Sequence, residues 1–353
     1  MQKHVTRPLL NWYDTHGRKT LPWKNPCCAY RIWLSEIMLQ QTQVKTVIPY
    51  FNRFIEAFPN IQDLANASDD AVMALWSGLG YYSRARHLHE TAKRIHKEHN
   101  NQFPSDTNTL ESFPGIGPST AAAIASQAFN QPTPILDANV KRVLCRYFLV
   151  DGFMEQATVK KKLWHYAAQC MSQQRCADYT QAIMDLGATC CTNKNPQCTH
   201  CPLSTTCRAN KQKRVDCYPN KKPKKSLPTK HQQFLVIYDS QKRIYLEKRP
   251  PKGIWGGLWC MPSIDMTYCA QTHILETLDM EVLEINKWIT LKHTFSHFKL
   301  TIQTMIIKTK QNNSFTSKSG RWYAPDEIAA IGIATPVQTI INCFKNSPDY
   351  GGI

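Results

Sequence analysis

Along the first two hundred residues, apolar positions recur at three- and four-residue intervals over 30–44, 69–77, 84–98, 119–129, 139–150 and 159–171. That period predicts amphipathic helices. Polar and proline breaks such as Phe58-Pro59-Asn60 and Phe103-Pro104-Ser105 separate them, as helix-terminating residues should. Past residue 207 the period stops. Residues 208–230 hold nine Lys or Arg, one acid (Asp216) and three prolines, the signature of a charged linker. Strand patterns follow at 234–238 and 243–247, a hairpin pair, and at 300–307, with one helix near 266–278. No repeat with a period of roughly 20–50 residues is visible. The pattern thus divides the chain into a helical domain (1–207), a basic linker (208–230) and a smaller α+β domain (231–353).

Composition sharpens this picture. The 353 residues are 42% hydrophobic and 20% charged, which supports true cores and excludes a disordered or collagen-like chain. Lys and Arg number 43 against 26 Asp and Glu, for a net charge of +17. An excess of that size favours a polyanionic partner such as nucleic acid or an anionic membrane surface. No apolar run approaches the ~20 residues of a membrane helix, and no signal-peptide core precedes a cleavage site. An intracellular protein, cytoplasmic or nucleoid-associated, is therefore expected. Of the 14 cysteines, Cys191, Cys198, Cys201 and Cys207 lie in the spacing C-x6-C-x2-C-x5-C. In a reducing compartment such a cluster reads as metal-binding. Four thiolates on one loop suit an iron–sulfur cubane, and a structural zinc is the chemical alternative. Cys190 fits no ligand spacing.

Three stretches carry candidate chemistry. In Leu110-Glu111-Ser112-Phe113-Pro114-Gly115-Ile116-Gly117-Pro118-Ser119 a helix ends, two glycines follow, and a proline opens the next helix. Glycines admit close approach of a phosphate, and the free N–H groups of the following helix attract it. This looks like a helix-hairpin-helix element that grips DNA without reading bases. Twenty residues after Gly117, Asp137 stands at a helix start. It reads as an N-cap whose N–H bonds would keep it ionised, and it matches the aspartate of helix-hairpin-helix DNA glycosylases. Glu36 has Ile32 and Trp33 one turn behind and Leu39 and Gln40 one turn ahead. A carboxyl on that face is desolvated, which suits it to carry a proton near neutrality.

Leu21-Pro22-Trp23, the 33–44 run, Gly78-Leu79-Gly80-Tyr81-Tyr82-Ser83-Arg84-Ala85-Arg86, the 136–140 run and the cysteine loop together resemble the MutY-type adenine DNA glycosylases. The resemblance spans nearly the whole chain. It implies an all-α helix-hairpin-helix DNA glycosylase domain with an iron–sulfur loop, followed by a C-terminal α+β Nudix-like domain. It also implies one 4Fe–4S cluster per chain on Cys191, Cys198, Cys201 and Cys207. The implied substrate is duplex DNA with adenine opposite 8-oxoguanine or G, bound by a monomer without membrane association.

The same resemblance assigns roles. Glu36 is the general acid and base, and Asp137 stabilises the oxocarbenium or a covalent intermediate. Tyr81 is the wedge in the base stack, and Gln41 fills the vacated space. Trp23, Lys24 and Gln181 line the adenine pocket, with Lys24 standing where some relatives have Arg and Gln181 where some have Glu. Ala138 occupies a position where Gly is common. Gly115, Gly117 and Ser119 belong to the DNA-gripping hairpin. Strand-cleaving relatives carry at Ser119's position the lysine that forms a Schiff base. Its absence implies base removal alone; the alternative is an endonuclease III-like lyase acting on oxidised pyrimidines. A third reading is a binder without catalysis. The C-terminal helix lacks the R-E-x-x-E-E carboxylates of a Nudix hydrolase, having only Asp265, Glu276 and Asp279. Phe295, Ser296 and His297 match the loop that reads 8-oxoguanine, while the 253–259 stretch reads as packing.

Overall fold

The computed structural model describes residues 2–222, 226–310 and 320–347. Lys224 and Lys225, read above as part of the linker, lie outside them. The chain forms two compact units, Met1–Asn66 with His87–Lys224, and Ala67–Arg86 with Lys225–Ile353. Among the described residues, twelve α-helices precede the sheet: α1 Gln2–His16, α2 Ala29–Leu39, α3 Val44–Ala57, α4 Ile61–Asn66, α5 Asp69–Trp76, α6 Ser83–His99, α7 Thr107–Glu111, α8 Pro118–Phe129, α9 Ala138–Phe148, α10 Ala157–Cys170, α11 Cys176–Asp185 and α12 Arg208–Lys211. No helix among the described residues is long and apolar enough to cross a membrane.

In the first unit the apolar faces predicted by the helical period meet in one core. Leu9 of α1, Val143 and Leu144 of α9, Leu163 of α10 and Ile183 of α11 are all buried in it. The expected helix over 30–44 ends at Leu39. Gln41 takes a left-handed backbone (φ 58°), and Thr42 N–H turns back to Leu39 O at 3.2 Å. The hairpin forms as its sequence dictates. Asp106 caps α7 by accepting Thr109 N–H at 2.8 Å, and Gly115 supplies the φ of +80° that an L side chain resists. Pro118 then opens α8 at its first turn, where its missing N–H costs nothing.

The basic stretch is not a free tether over its first half. Tyr218 is buried, Arg146 donates to the carbonyls of Val215 and Tyr218, and Asn220 accepts Gly152 N–H at 2.7 Å. Backbone carbonyls and one aromatic ring anchor it, features that charge counting does not weigh. The first strand begins at Thr229.

In the second unit the strands are β1 Thr229–Tyr238, β2 Ile244–Lys248, β3 Trp259–Cys260, β4 Ser263–Ile264, β5 Val282–Thr294, β6 Lys299–Thr309 and β7 Gly320–Tyr323. They form one sheet ordered β3-β2-β1-β6-β5, with β4 on β1 and β7 on β2. Only the β1–β6 pair is parallel among these. Helix α13 (Ala270–Leu278) covers one face, where Ile274 and Leu278 pack with Leu235, Ile237 and Ile307. Helix α14 (Thr335–Lys345) meets alternate residues: the Tyr238 and Phe344 rings are 5.1 Å apart. Residues 234–238 of β1 are consequently buried throughout. The sequence pattern did not reveal β5. Two register shifts and a largely exposed face break its alternation.

Residues 67–86 pack with the sheet. Hydrogen bonds to strand residues, described below, hold them there.

Candidate active site

Helix α2 is buried nearly all round: Ile32, Trp33, Leu34, Ser35, Ile37 and Met38 are inaccessible, and Glu36 is its only acid. Glu36 itself is half-buried. Burial pushes its carboxyl up to about 8, and the charge of Asp137 adds to the shift. A hydrogen bond from Gln127 and the charge of Lys24 oppose it. The two acids, a hundred residues apart in sequence, thus share one site.

Asp137 caps α9 as expected. One carboxyl oxygen accepts Val140 N–H at 2.7 Å, and the other accepts Asn139 Nδ2 at 3.2 Å. Its acidity differs from the sequence expectation: burial raises the pKa above the ordinary value and outweighs Val140, Asn139 and Arg142, which lower it. The capping group is itself braced. Arg142 donates to Asn139 Oδ1 at 2.9 Å and to Cys191 O at 2.8 Å, tying the helix start to the cysteine loop.

Around Glu36, Trp23 is buried with its ring edge-on to Phe51 at 5.4 Å. Lys24 donates to Tyr13 Oη at 3.3 Å. Burial lowers its pKa, while Asp185 is foremost among the charges acting the other way. Gln181, also buried, donates to Asp185 at 2.7 Å, and Arg18 holds the same carboxylate through its backbone N–H, Nε and Nη2. Lys24 and Gln181 therefore both interact with Asp185, while Trp23 is held by aromatic packing.

Two residues of this site escaped the sequence reading. Gln127, 8% exposed, projects from the alanine-rich face of α8, and its Oε1 has no hydrogen-bond partner. A lone glutamine inside an Ala-Ile run was the available signal. Asp185, the anchor of Gln181, gave none beyond its position in an apolar helix.

Gly115, Gly117 and Ser119 sit on the outer turn of the hairpin, with both glycines exposed. A Cβ on Gly117 would meet nothing within 4 Å. Gln41 is exposed beyond the end of α2. Tyr81 and the 295–297 turn belong to the second unit. Tyr81 is 45% exposed with φ 49°. Phe295 N–H closes the turn on Phe298 O at 2.9 Å, and the Phe295 and Phe298 rings stack at 4.5 Å. Ser296 and His297 face solvent.

The four cysteines of the loop, together with Cys190, line a small cavity of about 30 Å³. Among the described residues no three Cys, His, Asp or Glu side chains converge closely enough for one metal ion. Arg146, 2% exposed, points Nη1 at Cys191 Sγ (3.3 Å), a cation turned toward the thiols. Four thiols with a buried guanidinium beside one of them are a donor set that fits an anionic, thiolate-bound metal centre.

Two interacting acids, a glycine hairpin and a four-cysteine loop thus stand in one helical unit. The family profile of HhH-GPD superfamily base excision DNA repair proteins matches residues 34–169, and that of the NUDIX domain matches 233–343. The adenine DNA glycosylase of Buchnera aphidicola subsp. Schizaphis graminum is 41% identical over 96% of this chain and 97% of its own. The human adenine DNA glycosylase is 31% identical over 96% and 73%. A thermostable thymine-DNA glycosylase superposes with a TM-score of 0.55 and 25% identity, over 60% of this chain and 97% of that one. Endonuclease III from a non-covalent DNA complex shares the fold at a TM-score of 0.50 and 18% identity, over 60% and 98%. The chain belongs to the adenine DNA glycosylase family. It is a DNA N-glycosylase of base excision repair.

Proposed function

We propose that the protein removes adenine opposite 8-oxoguanine, and opposite G, from duplex DNA without cutting the strand. The observation that carries this reading is that Asp137 lies near enough for its charge to act on Glu36, whose carboxyl is held up to about 8. Near neutral pH Glu36 keeps its proton. Asp137 has two hydrogen-bond donors and the charge of Arg142, each of which favours its carboxylate form against the burial that raises it.

The everted adenine enters beside Trp23, Lys24 and Gln181, at an unstacking cost of a few kcal/mol. Glu36 donates its proton to N7, the C1′–N9 bond breaks, and the pair of electrons leaves with the base. Asp137 stabilises the oxocarbenium ion or transiently bonds C1′. Glu36, now a carboxylate, takes a proton from the attacking water. Tyr81 and Gln41 hold the opened stack, and Ser296, flanked by Phe295 and His297, reads the opposing 8-oxoguanine. Gly115, Gly117 and Ser119 grip the backbone. Ser119 offers a hydroxyl and no amine, so no imine with C1′ forms there.

The four cysteines Cys191, Cys198, Cys201 and Cys207 would hold one 4Fe–4S cluster per chain. Such a group fastens the loop through four Fe–S bonds and adds a one-electron redox centre. The enzyme acts as a monomer in the cytoplasm or nucleoid.

Base release is measured on duplexes with adenine opposite 8-oxoguanine, G and C, with and without hot alkali. Release opposite 8-oxoguanine and G, with strand breaks only after alkali, is expected. Breaks without alkali at the rate of base loss would support the lyase. Glu36→Gln should abolish excision while duplex binding survives; retained turnover removes Glu36 from its role.

A further inference from the structure

The segment 67–86 precedes the hairpin in sequence yet folds against the C-terminal sheet, through specific contacts. Asp70 Oδ1 accepts from Lys248 Nζ at 2.7 Å and Trp259 Nε1 at 3.2 Å. Ser77 Oγ and Tyr82 Oη both donate to Ile333 O, at 2.6 and 3.4 Å, and Tyr82 Oη accepts Gly78 N–H at 3.3 Å. Gly332 lies so close to α5 that a Cβ there would be 2.5 Å from Met73 Cβ.

The loop held between these contacts is strained. Gly78, Gly80 and Tyr81 have φ of 91°, 77° and 49°, and the non-glycine member costs roughly 1–2 kcal/mol. Such a conformation persists only where its surroundings over-determine it. Trp76 Nε1 and Arg84 Nη2 both donate to Gly80 O at 3.1 Å, and the Arg84 guanidinium lies 5.3 Å from the Tyr81 ring. Tyr81 nonetheless stands out into solvent.

Arg86, two residues beyond Arg84, donates to Gly256 O. The neighbouring Trp255 is buried at φ 52°, and its ring packs 5.7 Å from both Phe295 and His293. A continuous path of packed groups therefore runs from the 295–298 turn through Trp255, Gly256 and Arg86 to the first turn of α6 and Tyr81.

We propose that Arg86 and the Trp255–Gly256 turn lock the Tyr81 wedge to the Phe295–His297 turn, so that both DNA contacts act as one rigid reader of 8-oxoguanine. Arg86 is a positioning residue in this scheme. The proposal rests on the DNA roles given above to Tyr81 and Ser296. Rigid coupling means that docking of Ser296 on the lesion sets the depth at which Tyr81 enters the stack. The preference for 8-oxoguanine over G then belongs to the pair and not to either contact alone.

The test is single-turnover excision of adenine opposite 8-oxoguanine and opposite G, with 2-aminopurine fluorescence beside the lesion reporting unstacking. Arg86→Ala should lower the preference for 8-oxoguanine about tenfold, a coupling within the range of contacting residues. Arg86→Lys, which can still donate to Gly256 O, should restore most of it. In the Tyr81→Ala background Arg86→Ala should add nothing. Ser77→Ala, a smaller change, should lower the preference in the same direction should Arg86→Ala not fold. Loss of preference in Tyr81→Ala and Ser296→Ala, with Arg86→Ala and Ser77→Ala unaffected or fully additive, overturns the coupling alone. Unchanged preference in Tyr81→Ala and Ser296→Ala overturns the roles of those residues, and the coupling with them.

Discussion

At Glu36, burial and one polar contact act on the carboxyl in opposite directions, and burial is the larger. Burial drives Glu36 toward its neutral form, and the amide of Gln127 supports its charged form. An acid that must arrive protonated is active below its folded pKa and fails as pH rises through it. Excision should therefore decline through about pH 8. Gln127→Leu removes the donor to the carboxylate, which destabilises only the charged form, so this alkaline limb should move upward by about one pH unit. A pH–rate profile under single-turnover conditions decides it; an unmoved limb would detach Gln127 from Glu36. Glu36 could be found from its apolar neighbours on α2 in the sequence. Gln127 could not be connected to it, because α2 and α8 are brought together only by packing.

At the scale of elements, the hairpin separates two uses of glycine. Gly115 needs its positive φ, and a Cβ there would lie 2.9 Å from His87 Cβ. Gly117 has an extended backbone (φ −96°) and open space at its Cβ position. Gly115→Ala should therefore cost roughly 1–2 kcal/mol of stability. Gly117→Ala should leave stability within about 0.5 kcal/mol while weakening duplex binding several-fold, because the methyl occupies the approach of a phosphate. Thermal unfolding and a binding isotherm distinguish these outcomes; equal binding by Gly117→Ala would place the DNA elsewhere. The sequence located this turn and the Asp137 cap, because proline, glycine and aspartate impose local geometry. It missed the break after Leu39 and the whole of β5. The left-handed Gln41 carries no residue-type signal, and the bulges of β5 destroy the two-residue period.

At the scale of the molecule, charge and the cysteine loop belong to the same argument. A net charge of +17 favours DNA through counterion release but places no residue. Arg146, with carbonyl and thiol partners, is a buried cation whose compensation a thiolate cluster would supply. The purified protein should be brown with about four irons per chain, and Cys201→Ser should lose the colour and lower the unfolding temperature. A colourless protein carrying one zinc would overturn the cluster.

Local chemistry was legible in the chain itself: the helical period, the glycine turn, the cap at Asp137, the cysteine spacing and the strand-rich C-terminal part. Each depends on neighbours a few residues away. Three-dimensional packing decided the rest. It set Gln127 against Glu36, raised Asp137 by burial despite its cap, drew residues 208–222 onto the helical unit and gave 67–86 to the sheet. Desolvation and long-range hydrogen bonds depend on which surfaces meet, and no local pattern encodes that.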